Sequence, residues 1–303
     1  MSGGVLDHVG FAAVVGRPSS GKSSFLNTLC GSKVSIVSRV PQTTRDCIRA
    51  IHNESDTQIV FVDTPGMHRS ERAYNHRLYN LAREAIAEAD AVLCLIDLAR
   101  DFGEEEAHLL EALCDRAAQT IIACNKLDLA SMEVFEKRKG DIREIIEAHD
   151  LLAISALNRK DTLRVSQALA ALLPSGARLY PEDYYTDQTQ RHRIAEVVRE
   201  KIFQNLREEI PHASCVLVEE IIFDETRERA RVTAMIYVES ESQKGIVIGS
   251  RGAMIRKLGI TARADLEEIF GYPVDLFLRV SVRRAWRRDT EFLRLLEKQY
   301  QGG

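Results

Sequence analysis

Gly16-Arg17-Pro18-Ser19-Ser20-Gly21-Lys22-Ser23 is a complete G-x-x-x-x-G-K-[ST] phosphate loop. The apolar run Phe11–Val15 leads into it, and Ser24-Phe25-Leu26-Asn27-Thr28-Leu29 leaves it with helical spacing. Strand, loop and helix in that order are the setting the motif requires. Glycines let successive backbone N–H groups, and the helix N-terminus, face a polyphosphate. Lys22 offers a point charge to the β- and γ-phosphates, and the Ser23 hydroxyl a ligand to Mg²⁺.

The flanking pattern extends this unit into a domain. Apolar runs at Phe11–Val15, Thr57–Val62, Ala91–Ile96, Thr120–Cys124 and Leu151–Ile154 predict strands. Helix-periodic stretches at Lys22–Leu29, Tyr74–Ala89, Gly103–Ala118, Glu133–Ala148 and Asp161–Leu172 lie between them. Such alternation predicts an α/β fold, a doubly wound and mostly parallel sheet, whose ligands sit beyond the carboxyl ends of the strands.

Pro174-Ser175-Gly176 breaks the last of these helices, and Tyr180–Asp187 reads as an irregular linker. The domain is therefore set at 1–180, and 181–303 holds the linker and a second domain. There Gln190–Arg207 is helix-periodic, while Cys215–Phe223, Arg229–Val238 and Val274–Val282 read as strands. Gly245–Gly249 is taken as an apolar strand end before a further helix from Ala253.

Composition agrees with a globular chain. Of 303 residues, 45% are hydrophobic and 28% charged, enough for two domains. No apolar run approaches the roughly 20 residues that span a bilayer, and no secretory signal is expected. The six cysteines show no metal-ligand spacing, which points to a reducing cytoplasm. The net charge of −4 is uneven, because Gln243–Arg294 carries 11 Lys or Arg against 6 Asp or Glu. A basic segment on an acidic chain predicts a polyanionic partner.

Two further motifs fall at strand ends. Asp63-Thr64-Pro65-Gly66 puts a carboxylate where a phosphate-loop protein holds its Mg²⁺ shell, and Gly66 can turn its N–H toward a γ-phosphate. Asn125-Lys126-Leu127-Asp128 follows strand Thr120–Cys124. A buried Asp128 would accept from the N1–H and the exocyclic amine of guanine, a donor pair that adenine lacks. Asn125 can tie this loop to the phosphate loop, and the Lys126 stem can cover the base. Ser155 and Ala156, beyond Ile154, offer backbone N–H groups to the same base.

This order of motifs resembles translation-factor-type GTPases. The wording Pro41-Gln42-Thr43-Thr44-Arg45-Asp46 more narrowly resembles the Era family of ribosome-assembly GTPases. The resemblance implies GTP and GDP as ligands with Mg²⁺ held by Ser23, Thr44 and, in the second shell, Asp63. Lys22, Thr44 and Gly66 would carry hydrolysis. Met67 stands where Ras-like enzymes place a water-orienting glutamine, so slow hydrolysis is expected. Phosphate loops of this family usually have asparagine, associated with K⁺, at the position of Ser19, so little K⁺ stimulation is expected here.

In the second domain, Gly249-Ser250-Arg251-Gly252 is a G-x-x-G loop flanked by Lys244, Arg256 and Lys257. Its context resembles a type II KH domain, an α+β fold in which such a loop clamps the backbone of about four unpaired nucleotides. Lys244, Gly249, Ser250, Arg251, Gly252, Arg256 and Lys257 are the candidate RNA contacts. Trp286 reads either as a core anchor or as part of a basic cluster with Arg283, Arg284, Arg287 and Arg288. The family resemblance, spanning Val9 to Tyr300, implies a monomer that binds the 3′ end of 16S rRNA during 30S subunit maturation. It also implies a cytoplasmic protein, peripherally associated with the inner membrane. A tRNA-modification GTPase and an RNA-binding module with a static nucleotide are the alternatives.

Overall fold

The computed structural model describes residues 5–35, 48–64 and 82–300. The chain divides into two compact units, the first ending at Asp187 and the second beginning at Gln188.

The first unit is built on six strands: β2 (His8–Gly16), β3 (Ile48–Glu54), β4 (Thr57–Asp63), β5 (Ala91–Asp97), β6 (Thr120–Asn125) and β7 (Asp150–Ala153). Their order is β3-β4-β2-β5-β6-β7, and every pairing is parallel except the β3–β4 hairpin. A two-stranded ribbon joins β1 (Val5–Leu6) to β8 (Gly176–Ala177). Alternation along each strand sends side chains to opposite faces. Ala12, Val14, Leu93 and Leu95 meet α1 (Lys22–Cys30) and α5 (Arg159–Ala170). Ala13, Val15, Cys94 and Ile96 meet a helical stretch at 82–88 (α2), α3 (Glu104–Glu111) and α4 (Met132–Arg143). Both faces are dry, which is why these strands read as unbroken apolar runs.

Sequence reading missed β3, whose residues Arg49, His52, Asn53 and Glu54 dilute the apolar signal. As the edge strand it needs only a partner ladder, and Tyr180–Asp187 closes its free side. Ile51 N donates to Tyr185 O at 3.0 Å, and Ala50 bridges Thr186. The Gln58 amide holds the same segment through Leu179 N, Tyr180 N and Tyr180 O.

Two helices are shorter than their periodicity predicts. The stretch Gly103–Ala118 becomes α3 and a 3₁₀ turn, Cys114–Gln119, broken at Arg116. The helix expected to reach Ala148 stops at Arg143, because His149 N donates to Ala117 O and Thr120 O and draws the chain into β7. For Tyr74–Ala89, only 82–89 lies within the described residues, and 82–88 is helical.

His52 on β3 is 6% exposed, and its Nε2 has no partner among the described residues. Burial, and then the nearby Arg159, push its pKa from 6.5 down to about 4. The unfolded chain therefore binds a proton that the fold excludes. The stability is complete above pH 6.5 and drains away as the pH falls toward 4, by about 3 kcal/mol for a shift of this size. Replacing His52→Gln should shrink the drop in urea midpoint between pH 7 and about pH 4.5. An equal drop in both proteins would remove His52 from the acid response.

The second unit runs α6 (Gln190–Asn205), a short α7 (Ile210–Ala213), β9 (Cys215–Asp224), β10 (Arg229–Val238), α8 (Glu241–Ile248), α9 (Ala253–Phe270), β11 (Val274–Val282) and α10 (Thr290–Tyr300). The sheet order is β11-β10-β9, with β10–β11 parallel and β9–β10 antiparallel. Val232, Ala234 and Ile236 of β10 pack with residues of α6 and α9 on one face. Tyr237 points the other way and packs with Trp286, Phe292 and Leu296. Trp286 is a core anchor, 5% exposed, with Nε1 donating to Ala213 O at 2.9 Å. Arg283 is paired to Asp289, and Arg287 donates to His212 O, while Arg284 and Arg288 stand exposed.

Gly245–Gly249, expected as a strand end, is instead the end of helix α8. Ser240 caps it by accepting from Gln243 N, and Gln243 Oε1 accepts from Glu239 N. This reciprocal cap outweighs the β propensity of Ile246, Val247 and Ile248. The G-x-x-G loop thus joins two helices. Among the described residues, no helix is long and apolar enough to cross a membrane.

Candidate nucleotide site and nucleic-acid loop

Helix α1 begins directly on Gly21, which is left-handed at φ 102°, and no side chain caps its first turn. A β-carbon at Gly21 would fall 2.1 Å from Asn125 Nδ2, so glycine alone fits beneath that amide. The first-turn N–H groups, Ser23 and Ser24 among them, are left for an anion, with the positive end of the helix dipole behind them. Ser19 is also left-handed, at φ 65°. Ser20 is buried, and its Oγ has no partner among the described residues.

Lys22 is buried inside the loop, where its ammonium donates to Gly16 O at 3.0 Å and Arg17 O at 3.1 Å. Burial draws its pKa down, and the Asp63 carboxylate opposes that shift. The Arg17 guanidinium turns toward α3, pairing with Glu105 and, at 2.6 Å, with Glu106. Glu106 also accepts from Gly103 N at 3.1 Å, so one carboxylate braces both the α3 N-terminus and the phosphate loop. With its guanidinium so engaged, Arg17 has only its backbone N–H to offer a phosphate, and Pro18, which has no N–H, shapes the loop.

Asp63 ends β4 fully buried. Its Oδ2 accepts from Ser35 Oγ at 2.8 Å and from Ser23 Oγ at 3.4 Å, while Oδ1 has no partner among the described residues. Burial pushes its carboxyl upward, against the pull of Lys22 and the hydroxyls of Ser35 and Ser23. A buried carboxylate with an orphan oxygen beside a hydroxyl is a hard-oxygen environment that fits Mg²⁺ and its water shell. Thr64 locks the chain behind it, donating from Oγ1 to Val14 O at 2.8 Å. Thr44, Pro65, Gly66 and Met67 lie outside the described residues.

Asn125 links three loops. Its Nδ2 donates to Ser20 O at 2.8 Å and its Oδ1 accepts from Ala156 N at 2.7 Å. Lys126 adopts a left-handed backbone at φ 70°, and its ammonium sits 2.6 Å from Asp97 Oδ2. The Asp128 carboxylate accepts from Ser155 Oγ at 2.6 Å and is exposed, where the sequence had suggested burial. An exposed acceptor is the ligand-ready arrangement, since a planar base arriving from solvent supplies the missing cover.

In the second unit, Gly249, Arg251 and Gly252 have φ of 73°, 51° and 78°. A β-carbon at Gly249 would lie 2.7 Å from Met254 Cβ. The loop delivers the chain into α9, whose N-cap is Gly252, with no side-chain cap and no acidic residue in the first turn. Ser250, Arg251, Arg256 and Lys257 are exposed, and Lys244 is half-buried, 3.9 Å from Glu241. This is a second uncapped helix N-terminus ringed by cations, suited to a phosphodiester backbone.

Sequence reading did not single out Glu105, Glu106, Asp97, Asn27 or Ser35. Asp97 carried a signal, as an acidic residue ending a strand just as Asp63 does. Ser35 carried none, because its meeting with Asp63 is purely tertiary.

A family model described as a 50S ribosome-binding GTPase matches residues 11–126, and a KH domain model matches residues 198–287. A GTPase Era from Treponema denticola is 44% identical over 287 residues, covering 94% of this chain and 98% of its own. One from Thermotoga maritima is 40% identical over 95% of this chain and 96% of its own. Among solved structures, a variant of Aquifex aeolicus Era bound to GDP and AlF4⁻ superposes with a TM-score of 0.88 at 33% identity, over 95% of this chain and 98% of that one. An Era complex with MgGDPNP and nucleotides 1506–1542 of 16S ribosomal RNA matches equally well, with the same TM-score of 0.88.

Proposed function

We propose a function from one premise: this chain belongs to the Era family of GTPases. As a GTPase it uses GTP, GDP and Mg²⁺. Gly16–Ser24 cradles the phosphates on the α1 N-terminus, and Asn125, Lys126, Asp128, Ser155 and Ala156 receive the guanine. Ser23 and Thr44 would hold Mg²⁺ directly and Asp63 through water, and the ion would supply positive charge to the nucleotide phosphates. Lys22 supplies a second positive charge, and Thr64 and Pro65 lead to the Gly66 N–H at the γ-phosphate. With Met67 in place of a water-orienting glutamine, turnover is slow, as suits a timer.

The nucleotide state governs binding of the 3′ region of 16S rRNA to the Gly249–Gly252 loop, with Lys244, Arg256 and Lys257 on the phosphates. The protein acts as a monomer in the cytoplasm on the assembling 30S subunit, in peripheral contact with the membrane. The observation that carries the RNA assignment is the full-length match to an Era captured with MgGDPNP and the 16S rRNA 3′ end. Crosslinking the protein to cellular RNA tests it. Crosslinks should map to the 16S 3′ end and be enriched about tenfold with a GTP analogue over GDP, the size of an ordinary allosteric coupling. Equal recovery in both states would discard the switch, and crosslinks elsewhere the target.

A further inference from the structure

Ser35 is 1% exposed and stands 28 residues before Asp63 in the chain, yet its hydroxyl lies 2.8 Å from Asp63 Oδ2 and 3.2 Å from Ser23 Oγ. Ser23 Oγ closes the triangle, 3.4 Å from the same carboxylate oxygen. Two hydroxyl protons serve these three edges, and Asp63 is the pure acceptor among them. The shortest edge belongs to Ser35, so the Asp63 oxygen nearest both hydroxyls is claimed chiefly by Ser35. That leaves Oδ1, buried and without a partner among the described residues, as the carboxylate's outward-acting atom.

Ser35 does not hold this position by chance of side-chain rotation. Asn27, on the second turn of α1, clamps the backbone on either side of it. Its Oδ1 accepts from Val34 N at 2.8 Å and from Ser35 N at 2.9 Å, and its Nδ2 donates to Ser35 O at 2.7 Å. Three hydrogen bonds from one amide are close to all it can make. The helix that carries Ser23 therefore also sets the height of Ser35 over Asp63.

We propose that Ser35, held by Asn27, is a positioning residue for the Mg²⁺ site, tethering Asp63 Oδ2 so that Oδ1 is the oxygen left to act on the metal's water shell. The inference rests on the nucleotide and Mg²⁺ reading given above. Its physical basis is that a shell carboxylate needs one oxygen tethered if the other is to aim. Without Ser35, Asp63 is left to rotate toward Ser23 and withdraw the oxygen that orders the metal's water.

The test reads metal dependence and not turnover. Release of a fluorescent GDP derivative is followed across a Mg²⁺ titration, with the same measurement in excess EDTA. The Ser35→Ala protein is expected to need about tenfold more Mg²⁺ for half-maximal retention, the loss of one hydrogen bond to a charged group. Its GDP affinity in EDTA should stay within about twofold of the parent, because no phosphate or base contact is touched. Ser35→Cys, nearly isosteric with a weak donor, should shift the midpoint in the same direction by less. It decides the matter alone if the alanine variant fails to fold. An unmoved midpoint overturns the proposal, as does a loss of GDP affinity that is equal with and without Mg²⁺, which marks a purely structural residue. A parent protein whose GDP retention ignores Mg²⁺ would instead overturn the nucleotide-site reading itself.

Discussion

Replacing Ser250 and Arg251 together by aspartate is expected to weaken binding of single-stranded 16S 3′-end RNA at least about a hundredfold, at unchanged GTP affinity. Both side chains are exposed at the mouth of the loop, so the change removes one cation and adds two anions where phosphates must sit. Aspartate is among the few residues that tolerate the left-handed backbone found at Arg251, so the loop should keep its path. The nucleotide site lies in the other unit, and its affinity should move less than about twofold. Filter binding of RNA and fluorescence titration of GTP on the same preparation provide the check. Intact RNA binding would refute the loop as the RNA clamp.

Asp128→Asn should lower GTP affinity about a hundredfold or more and raise affinity for xanthosine triphosphate, exchanging the preferred base. A carboxylate accepts two N–H donors from guanine, and a charge-assisted pair of this kind discriminates strongly. An amide turns one acceptor into a donor, which suits the carbonyl that xanthine carries in place of the amine. The neighbouring contact favours a clean exchange, because Ser155 Oγ donates to Asp128 Oδ1 at 2.6 Å. That hydroxyl can donate equally to the amide oxygen, leaving the NH₂ group to face the base. Competition binding with the two triphosphates measures the switch, and an unchanged preference for GTP would place the guanine elsewhere.

Much of the first unit was legible because its physics is local. A strand buried on both faces must be apolar throughout, so β2, β4, β5 and β6 appear as runs. The edge strand β3 faces no such demand, and its pairing with Tyr180–Asp187 could not be seen from composition. In the second unit, Ile246-Val247-Ile248 has the look of a strand, but the Ser240 and Gln243 cap makes it a helix.

The sequence by itself determined which chemistry the chain carries. The phosphate loop, the strand-end Asp63, the Asn125–Asp128 motif and the Gly249–Gly252 loop are contiguous words, because the chemistry each offers comes from backbone geometry or from neighbours on one turn. Tertiary structure alone decided how those words are braced. Glu106 reaches Arg17 across 89 residues, Asn125 reaches Ser20 across 105, and Ser35 reaches Asp63 across 28. Hydrogen bonds act over about 3 Å in space and are blind to separation along the chain. No spacing in the sequence could announce them until the sheet brought the strand ends together.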